Sequence, residues 1–484
     1  MRTHWLSALV IIAAAPLQAA DEHTNAVQAW VEANVPEMMR EARLPGFAIA
    51  VVRDGETIYA NAFGARDFAK NLPVTTDTLF GIGSITKSFV AIAVLQLAER
   101  GELSLDDPVS KYLPFNLGKP GEPILIRHFL SHSSGIPSLG TSTVVLSQGL
   151  DDDTGVPMSS ADDFYHFVNG AKEMVAFSPG EHYFYNNAAY RMLGAIIHEA
   201  SGIPFHEYVT ENVIRPLGMK RTTFDTDLLD ADSDHTTPYD TSADGVEAAE
   251  FPLPNPFHDA EFSFISAAGG IASSVTEMTP YLNMLIEQGH HDGEQLISQR
   301  SMREMQRIQI REPDGYYGVR GYGFGLNSTP NFLGETILDH GGSIDVSTAR
   351  IAVVPTEKIG VVMLGNSSGM YRHYPLIAET ILAILMGEDP DAAIPLLGIR
   401  KRMQQLEGSY ATYRDLHTIN VANHGGLLYI ERGGRPVPLI PEDPTYRVLD
   451  FYTLSNGRKS PVSFRVNDNG QMSVLIGRNA YHKH

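Results

Sequence analysis

The feature that most constrains the fold is a stretch near residue 90 that is apolar on every side. From Phe89 to Ala98 the only polar residue is Gln96, in what reads as a helix that begins near Ser84. A helix without a polar face belongs inside a large core. The chain has 484 residues, of which 43% are hydrophobic, so it can build such a core and has room for two or more domains.

The middle of the chain is predicted to be helical and to lie between two groups of strands. We predict a helix over 24–43, two strands over 46–64, mostly helices from 84 to about 290, strands over 335–342, 347–356 and 358–366, and a helix over 374–389. The simplest packing pairs the first two strands with the last three in one antiparallel sheet, with the helical block beside it. The start of the apolar helix then lies at a seam where clefts form.

After residue 395 the sequence changes to short alternating runs that are separated by turns. The turns contain pairs typical of β-hairpins, namely Gly425-Gly426, Gly433-Gly434, Asn456-Gly457 and Asn469-Gly470. We therefore predict three segments: a signal peptide over 1–20, a main domain over 21–395, and a small all-β domain, a barrel or a sandwich, over 396–484.

The N-terminus has the pattern of a secretory signal peptide. Arg2 precedes an apolar run from Leu6 to Ala15 that is too short to span a bilayer, and Ala19 and Ala20 precede the first acidic residues. We expect an exported protein, periplasmic or secreted, without stable membrane insertion after cleavage; the alternative is an uncleaved anchor helix. A formal charge of −21 argues against nucleic acids as partners, and with no cysteine the chain has no thiolate metal site.

Lys87 is an unusual residue for the first turn of a buried helix. A capping box pairs serine with Glu or Gln three residues later, and a cation in this turn opposes the helix dipole. Dipole and burial both lower the pKa of the amine, so Lys87 can accept a proton from Ser84, which lies on the same helix face. Ser84 is then an activated nucleophile. The alternative is that Ser84 caps the helix and Lys87 faces solvent.

A second motif, Y-x-N, lies at the entry to a later predicted helix. Tyr185 can relay protons beside a lysine, and the Asn187 amide can orient a substrate carbonyl and bond the lysine. The alternative is that Tyr185 packs in the core and Asn187 caps the helix.

A third motif, H-x-G, lies on a predicted strand. Glycine at Gly342 lets a ligand approach the backbone closely, and His340 would line the cleft. The N–H of Ser343 can join the N–H of Ser84 in an oxyanion hole. The alternative is a glycine-rich strand edge with a structural histidine.

These motifs occur in one order within a longer pattern that resembles the serine β-lactamase-like hydrolases, which include class C β-lactamases, DD-peptidases, D-aminopeptidases and related esterases. The pattern runs from about residue 24 to 390 through TLFGIGSITKSF, GELSLDDPVSKYLP, ILIRHFLSHSSGIP, FYNNAAYRMLG, PLGMKRTTF, AAGGIASSVTEM and DHGGSIDVSTARIAVVP. The resemblance implies an α/β (α+β) fold, in which an antiparallel sheet is flanked by helices and accompanied by an all-α region. The C-terminal β domain resembles barrels appended to some of these peptidases.

The resemblance also implies roles for single residues. Carried over by motif, Ser84 is the nucleophile, Lys87 the base, Tyr185 the companion general acid/base, Asn187 a positioning residue, His340 and Gly342 the third motif, and the N–H groups of Ser84 and Ser343 the oxyanion hole. His132, in the L-x-H-x-S-G pattern of Leu130–Gly135, is interpreted as structural. The implied mechanism is an acyl-enzyme on a small-molecule or short-peptide substrate, without metal or cofactor.

One departure from the family pattern affects the expected substrate. Penicillin-recognising members usually carry K-T-G at the third motif, whose lysine attracts the substrate carboxylate, whereas this chain has H-G-G, and histidine is mostly neutral near pH 7. This favours the esterase and aminopeptidase branches. The alternative is a non-catalytic or slowly deacylating protein that binds β-lactams or peptidoglycan-type peptides. An α/β-hydrolase is disfavoured because Ser84 lacks the G-x-S-x-G context.

Overall fold

The strands predicted near the two ends of the main domain pair in one sheet. A computed structural model describes residues 14–150, 154–241, 245–259, 261–432, 435–467 and 469–484. Of the predicted signal peptide, residues 1–13 lie outside these ranges. The chain divides into two units after Met386.

The first unit is built on a nine-stranded antiparallel sheet. Its strands and those of three small two-stranded sheets are β1 (Gly46–Arg53), β2 (Glu56–Asp67), β3 (Leu72–Pro73), β4 (Phe80–Gly81), β5 (Tyr239–Thr241), β6 (Val246–Ala248), β7 (Ala272–Ser273), β8 (His290–His291), β9 (Glu294–Gln295), β10 (Ile310–Arg311), β11 (Gly321–Tyr322), β12 (Asn327–Phe332), β13 (Glu335–Ser343), β14 (Thr348–Val354) and β15 (Ile359–Gly365). The order in the large sheet is β10-β11-β12-β13-β14-β15-β1-β2-β3. Because Phe47 on β1 lies opposite Gly365 on β15, the predicted pairing of first and last strands is confirmed.

Helices surround this sheet and share its core. They are α1 (Ala14–Glu41), α2 (Thr86–Glu99), α3 (Ile126–Leu130), α4 (Thr141–Gly149), α5 (Ala161–Gly170), α6 (Asn187–Ser201), α7 (Phe205–Val209), α8 (Thr226–Ala231), α9 (Val275–Ile286), α10 (Gln299–Gln306) and α11 (Tyr374–Leu385). Every residue of α2 from Thr86 to Leu97 is buried, as expected for a helix without a polar face. No helix in the described ranges is long and apolar enough to cross a membrane.

Strands β10, β11 and β12 lie in a region where no strand is predicted from the sequence. Two of them are only two residues long, so they show no alternating pattern, and Pro330 interrupts the third. They form because each continues the pairing outward from β13. Helix α1 also differs from the prediction, since it already includes Ala14 and is not confined to residues after about 24.

The second unit is a nearly closed, barrel-like antiparallel sheet. Its strands are β16 (Gly408–Ala411), β17 (Thr418–His424), β18 (Leu427–Arg432), β19 (Arg435–Pro438), β20 (Ile440–Pro441), β21 (Asp450–Ser455), β22 (Arg458–Val466), β23 (Met472–Ile476) and β24 (Asn479–Lys483). They follow the order β19-β18-β17-β16-β24-β23-β22-β21-β20. The two edge strands, β19 and β20, are separated in the chain only by Leu439, so the edges of the sheet must lie close together.

This unit confirms the predicted barrel-like β domain, and helices precede its sheet. It begins with two helices, α12 (Pro390–Ala393) and α13 (Pro395–Leu406). Ile399, Met403 and Leu406 of α13 are buried in the same core as Tyr410 and the inward-facing residues of the strands. The helix supplies apolar side chains that fill the interior of the curled sheet.

Candidate active site

Ser84 lies at the entrance of the buried helix, where the backbone turns sharply. Gly83 has a φ of +50° and begins a 3₁₀ turn, Gly83–Ile85, that runs into α2. Neither segment has a side-chain cap, so Ser84 is not an N-cap. Instead, Lys87 Nζ lies 2.8 Å from Ser84 Oγ and donates a hydrogen bond to the Ala268 carbonyl oxygen at 2.7 Å. The structure therefore brings the two residues of the S-x-x-K motif into contact.

The Lys87 amine is held in surroundings that favour its neutral form. Its side chain is fully buried, and burial lowers its pKa well below the ordinary value, with a further decrease caused by the charge of Arg191. The Tyr185 ring lies beside the amine, with its centre 4.9 Å from Nζ. Because Lys87 is buried, the alternative in which it faces solvent is wrong. A neutral amine at this distance can take the proton of a hydroxyl.

Tyr185 lies against both residues, on the loop that enters α6. Burial raises the pKa of its phenol, and the neighbouring Ser84 side chain opposes part of that rise. The net pKa of Tyr185 lies above its ordinary value, so the phenol is protonated at neutral pH. In this state Tyr185 can donate a proton.

His132 fixes the backbone on both sides of Tyr185. The Phe184 N–H donates to the His132 carbonyl oxygen at 2.8 Å, and the Asn186 N–H donates to His132 Nδ1 at 3.1 Å. The His132 ring is fully buried and lies 4.2 Å from the Tyr185 ring, measured between ring centres. These contacts fit the structural interpretation of His132 and place it directly behind the site.

Asn187 is the first residue of α6 and lines the cleft beside Tyr185. The cap of this helix is its neighbour Asn186, whose Oδ1 accepts from the Ala189 N–H at 3.3 Å. Among the described residues, the hydrogen-bond partners of Lys87 are Ser84 and Ala268, and Asn187 is not one of them. Asn187 is thus free of both the capping role and the predicted bond to lysine, and its amide is available to the cleft.

The third motif lies on β13, which packs against the Gly83 turn. A Cβ at Gly342 would lie 1.9 Å from the Ile82 carbonyl oxygen and 3.2 Å from the Ser84 nitrogen. The predicted close approach therefore exists, but it is made by the chain's own backbone and not by a ligand. A Cβ at Gly83 would in turn lie 2.6 Å from the Ser343 nitrogen. The N–H groups of Ser84 and Ser343 consequently belong to two segments in direct contact.

His340 is buried and neutral. Its Nδ1 lies 2.6 Å from the Gly341 carbonyl oxygen, which can only accept, so Nδ1 carries the proton. Its Nε2 then accepts from the Tyr322 hydroxyl at 2.9 Å. Burial and the nearby Lys87 lower the pKa of His340 to about 3. The third motif therefore contributes no positive charge at neutral pH.

These residues meet at one cleft of about 500 Å³ within the first unit. Its lining includes the predicted Ser84, Tyr185, Asn187, His340 and Ser343. Lys87 lies beneath this surface, and Gly342 lies where β13 meets the Gly83 turn. The lining also contains residues that the sequence analysis did not single out: Arg191, Ala268, Tyr322 and Tyr371.

Comparison with known proteins agrees with this geometry. The family model described as "Beta-lactamase" matches residues 31–385. The chain belongs to the beta-lactamase family. The resemblance and the fold predicted from the sequence are thereby confirmed. A second family model, described as "Pab87 octamerisation domain", matches residues 390–482.

Several relatives support this membership. The octameric penicillin-binding protein homologue from Pyrococcus abyssi has a similar structure, with a TM-score of 0.83 and 36% identity, covering 94% of this chain and 99% of that chain. Protein flp from Staphylococcus aureus (strain MW2) is 26% identical over 354 residues, which are 72% of this chain and 65% of that protein. Esterase EstB from Burkholderia gladioli is 36% identical over 199 residues, which are 40% of this chain and 50% of that protein. The chain thus matches less than two thirds of the length of these curated relatives.

Proposed function

We propose that this protein is an exported serine hydrolase that cleaves an amide or ester bond through an acyl-enzyme on Ser84. The observation that carries the proposal is the 2.8 Å contact between Ser84 Oγ and a fully buried Lys87 Nζ. Desolvation favours the neutral amine, whose lone pair can accept the serine proton while one of its N–H groups remains bonded to the Ala268 carbonyl.

In acylation, the Ser84 hydroxyl proton moves to Lys87 as Oγ bonds to the substrate carbonyl carbon. The carbonyl oxygen becomes an oxyanion that accepts hydrogen bonds from the N–H groups of Ser84 and Ser343. When the bond to the leaving group breaks, the leaving oxygen or nitrogen takes the phenolic proton of Tyr185. The ammonium of Lys87 then returns a proton to the Tyr185 oxygen, which restores the neutral amine.

In deacylation, the same groups act on water. Neutral Lys87 takes a proton from a water molecule that attacks the acyl carbonyl, and the oxyanion again forms at the two N–H groups. The acyl–oxygen bond breaks, and Ser84 Oγ recovers the proton from Lys87. Asn187, at the edge of the cleft, is suited to hold the carbonyl-bearing part of the substrate through its amide.

The neutral third motif favours peptidase or esterase chemistry over efficient β-lactam hydrolysis. His340 stays uncharged at neutral pH, so it cannot attract a carboxylate as the lysine of K-T-G does. The similarity to an esterase supports this branch.

A second candidate is a penicillin-binding protein that acylates and deacylates slowly. It is favoured by the likeness to a solved penicillin-binding protein homologue. Release of more than one equivalent of product per chain supports the hydrolase, whereas a single burst that then stops supports the slow binder.

Two further parts of the proposal concern location and assembly. The N-terminal pattern supports export with cleavage after Ala20. The match of residues 390–482 to an octamerisation domain, together with the octameric structural relative, supports assembly into an octamer.

The proposal is tested by labelling the exported protein with a fluorophosphonate and mapping the adduct by mass spectrometry. We expect Asp21 as the first residue and one adduct, on Ser84, that is absent from Ser84→Ala and Lys87→Ala. Ser142→Ala, which removes another serine of the cleft lining, is the matched control and keeps the adduct. A folded protein without an adduct, or with an adduct that survives in Ser84→Ala, contradicts the proposed nucleophile.

A further inference from the structure

Three arginines line the cleft, and only one of them has no carboxylate partner. Arg320 pairs with Glu312 at 3.1 Å, and Arg350 pairs with Asp339 at 2.8 Å. Arg191, on α6, forms no ion pair with any residue in the described ranges. Among the arginines that line the cleft, Arg191 is therefore the one whose charge is not balanced by a carboxylate of the described residues.

The Arg191 side chain is deeply buried and only partly hydrogen-bonded. It is 2% exposed, and its Nε donates to the Ile265 carbonyl oxygen at 3.1 Å. Its Nη1 is buried without a partner among the described residues. Burial lowers the pKa of Arg191 to about 9, so the group remains charged at neutral pH. A buried charge with an unused donor is costly unless something else supplies the acceptor.

The position of Arg191 makes a substrate the natural source of that acceptor. Arg191 lines the same cleft as Ser84, and its charge is close enough to lower the pKa of Lys87. A planar guanidinium binds a carboxylate through two parallel hydrogen bonds, which suits it better than a lysine for this task. The third motif supplies no cation that could bind a carboxylate, because His340 is neutral.

We propose that Arg191 receives a carboxylate of the substrate, so that the enzyme prefers esters or amides that carry a carboxylate near the scissile bond. The inference rests on the proposed hydrolase function. Arg191 then replaces, from a different element of the fold, the cation that the third motif lacks. Once paired with the bound carboxylate, Arg191 also lowers the pKa of Lys87 less than it does in the free enzyme.

The test uses two pairs of esters that differ only in a negative charge. Mono-(4-nitrophenyl) adipate against 4-nitrophenyl hexanoate places the carboxylate on the acyl side, and 4-acetoxybenzoate against 4-acetoxybenzamide places it on the leaving group. For each pair the ratio of kcat/KM, charged over neutral, is measured in the wild-type chain, Arg191→Gln and Arg191→Lys. Gln keeps a donor for the Ile265 carbonyl but removes the charge. Lys keeps the charge but lacks the planar guanidinium that can donate two parallel hydrogen bonds.

We expect the wild-type chain to prefer the charged ester in at least one pair. In Arg191→Gln that ratio should fall about 10- to 100-fold, as expected for the loss of a charge-assisted hydrogen bond, and Arg191→Lys should retain part of it. The ratio is insensitive to a general loss of active protein, because both esters of a pair meet the same enzyme.

The inference is overturned by either of two results. One is a wild-type chain that prefers the neutral ester in both pairs, which needs no variant and so holds even if Arg191→Gln does not fold. The other is a preference for the charged ester that is unchanged in Arg191→Gln. Failure of the proposed function looks different, since none of the four esters would then show turnover that depends on Ser84.

Discussion

At the scale of single residues, the chemistry depends on the amine of Lys87, which is buried away from water. Lys87 has no carboxylate partner among the described residues, and the charge that further lowers its pKa, that of Arg191, is of the same sign. Each unit by which the pKa falls disfavours the charged form by about 1.4 kcal/mol. Burial of Lys87 therefore lowers the stability of the fold but favours the neutral form of the amine, which can act as a base.

This leads to a prediction about pH. Lys87 can accept the serine proton only when it is neutral, and it is neutral above its pKa. Because burial lowers the pKa of Lys87 well below 10.5, the rate of Ser84 labelling by a fluorophosphonate should rise much less steeply between pH 8.5 and 9.5 than it would for a lysine of ordinary pKa. The second-order rate constant of labelling, followed by mass spectrometry, gives this directly.

A steep rise of the labelling rate with pH would contradict this prediction. A lysine with an ordinary pKa would make labelling rise about tenfold over the same pH unit, because its neutral fraction rises tenfold. Lys87→Arg serves as the control, since a guanidinium stays charged and cannot act as the base, and we expect no labelling at any pH in this interval.

Some of these residues could be predicted from the sequence, because a charged residue within an apolar helix is a recognisable signal. A cation in an otherwise apolar helix marks Lys87, and the same signal is present at Arg191, which lies in the run AAYRMLGAII on α6. The Ala268 carbonyl and Tyr322 carry no such signal. A backbone acceptor 181 residues from Lys87 is defined only by the folded path of the chain.

At the scale of elements, the site is assembled where β13 packs against the turn that precedes α2. The contact is as close as glycine permits, since the Ile82 carbonyl occupies the space of a Cβ at Gly342. The end of a strand and the start of a helix that are packed this closely keep the N–H groups of Ser84 and Ser343 in a fixed relation. The rigidity of the proposed oxyanion hole thus comes from backbone packing.

Gly342→Ala should damage this arrangement. The added methyl would force β13 away from the turn, which we expect to lower the free energy of unfolding by about 1–3 kcal/mol and Ser84 labelling by at least about tenfold. Labelling rates and thermal melting of the purified variant test both effects.

Gly341→Ala is the matched control on the same strand. A Cβ there meets the Tyr371 hydroxyl at 2.7 Å, but Tyr371 is 41% exposed and its side chain can turn away. We expect less than about a threefold loss. Equal losses in the two variants would mean that the contact with Ile82 has no special importance.

The sheet could be predicted only in part. The hairpin β1–β2 and the strands β13 to β15 have clear apolar patterns, and the turn at Asp54-Gly55 has the two left-handed residues that such a hairpin needs. Strands β10 to β12 have no comparable pattern, because their existence depends on the neighbouring strand β13. Helix α13 was not predicted either. It packs in the core of the second unit, where the sequence alone suggests only β structure.

At the scale of the whole molecule, the second unit carries exposed apolar side chains on nearby strands. Leu454 on β21 and Leu475 on β23, the two strands that flank β22, lie on the same face of the sheet and are 50% and 43% exposed. Apolar side chains on one face of a sheet are the kind of surface that copies of a chain bury against one another. This observation agrees with the proposed octamer.

Light scattering coupled to gel filtration tests the assembly. Eight copies of the 53.0 kDa chain give eight times 53.0 kDa, about 424 kDa, less the signal peptides that are removed. We expect this mass for the full chain and a monomer for a variant that ends at Met386. A full chain that elutes as a monomer at micromolar concentration would contradict the proposed octamer.

The nearly closed sheet of the second unit also limits how copies can join. Its two edge strands contain Pro436, Pro438 and Pro441, which lack the N–H groups that a further strand would need. Adding a strand from another copy at these edges is therefore blocked at three positions, and edge-to-edge aggregation is suppressed along with it. Copies that assemble through this unit must do so by contacts between side chains, which can end at a fixed number of subunits where a growing sheet would not.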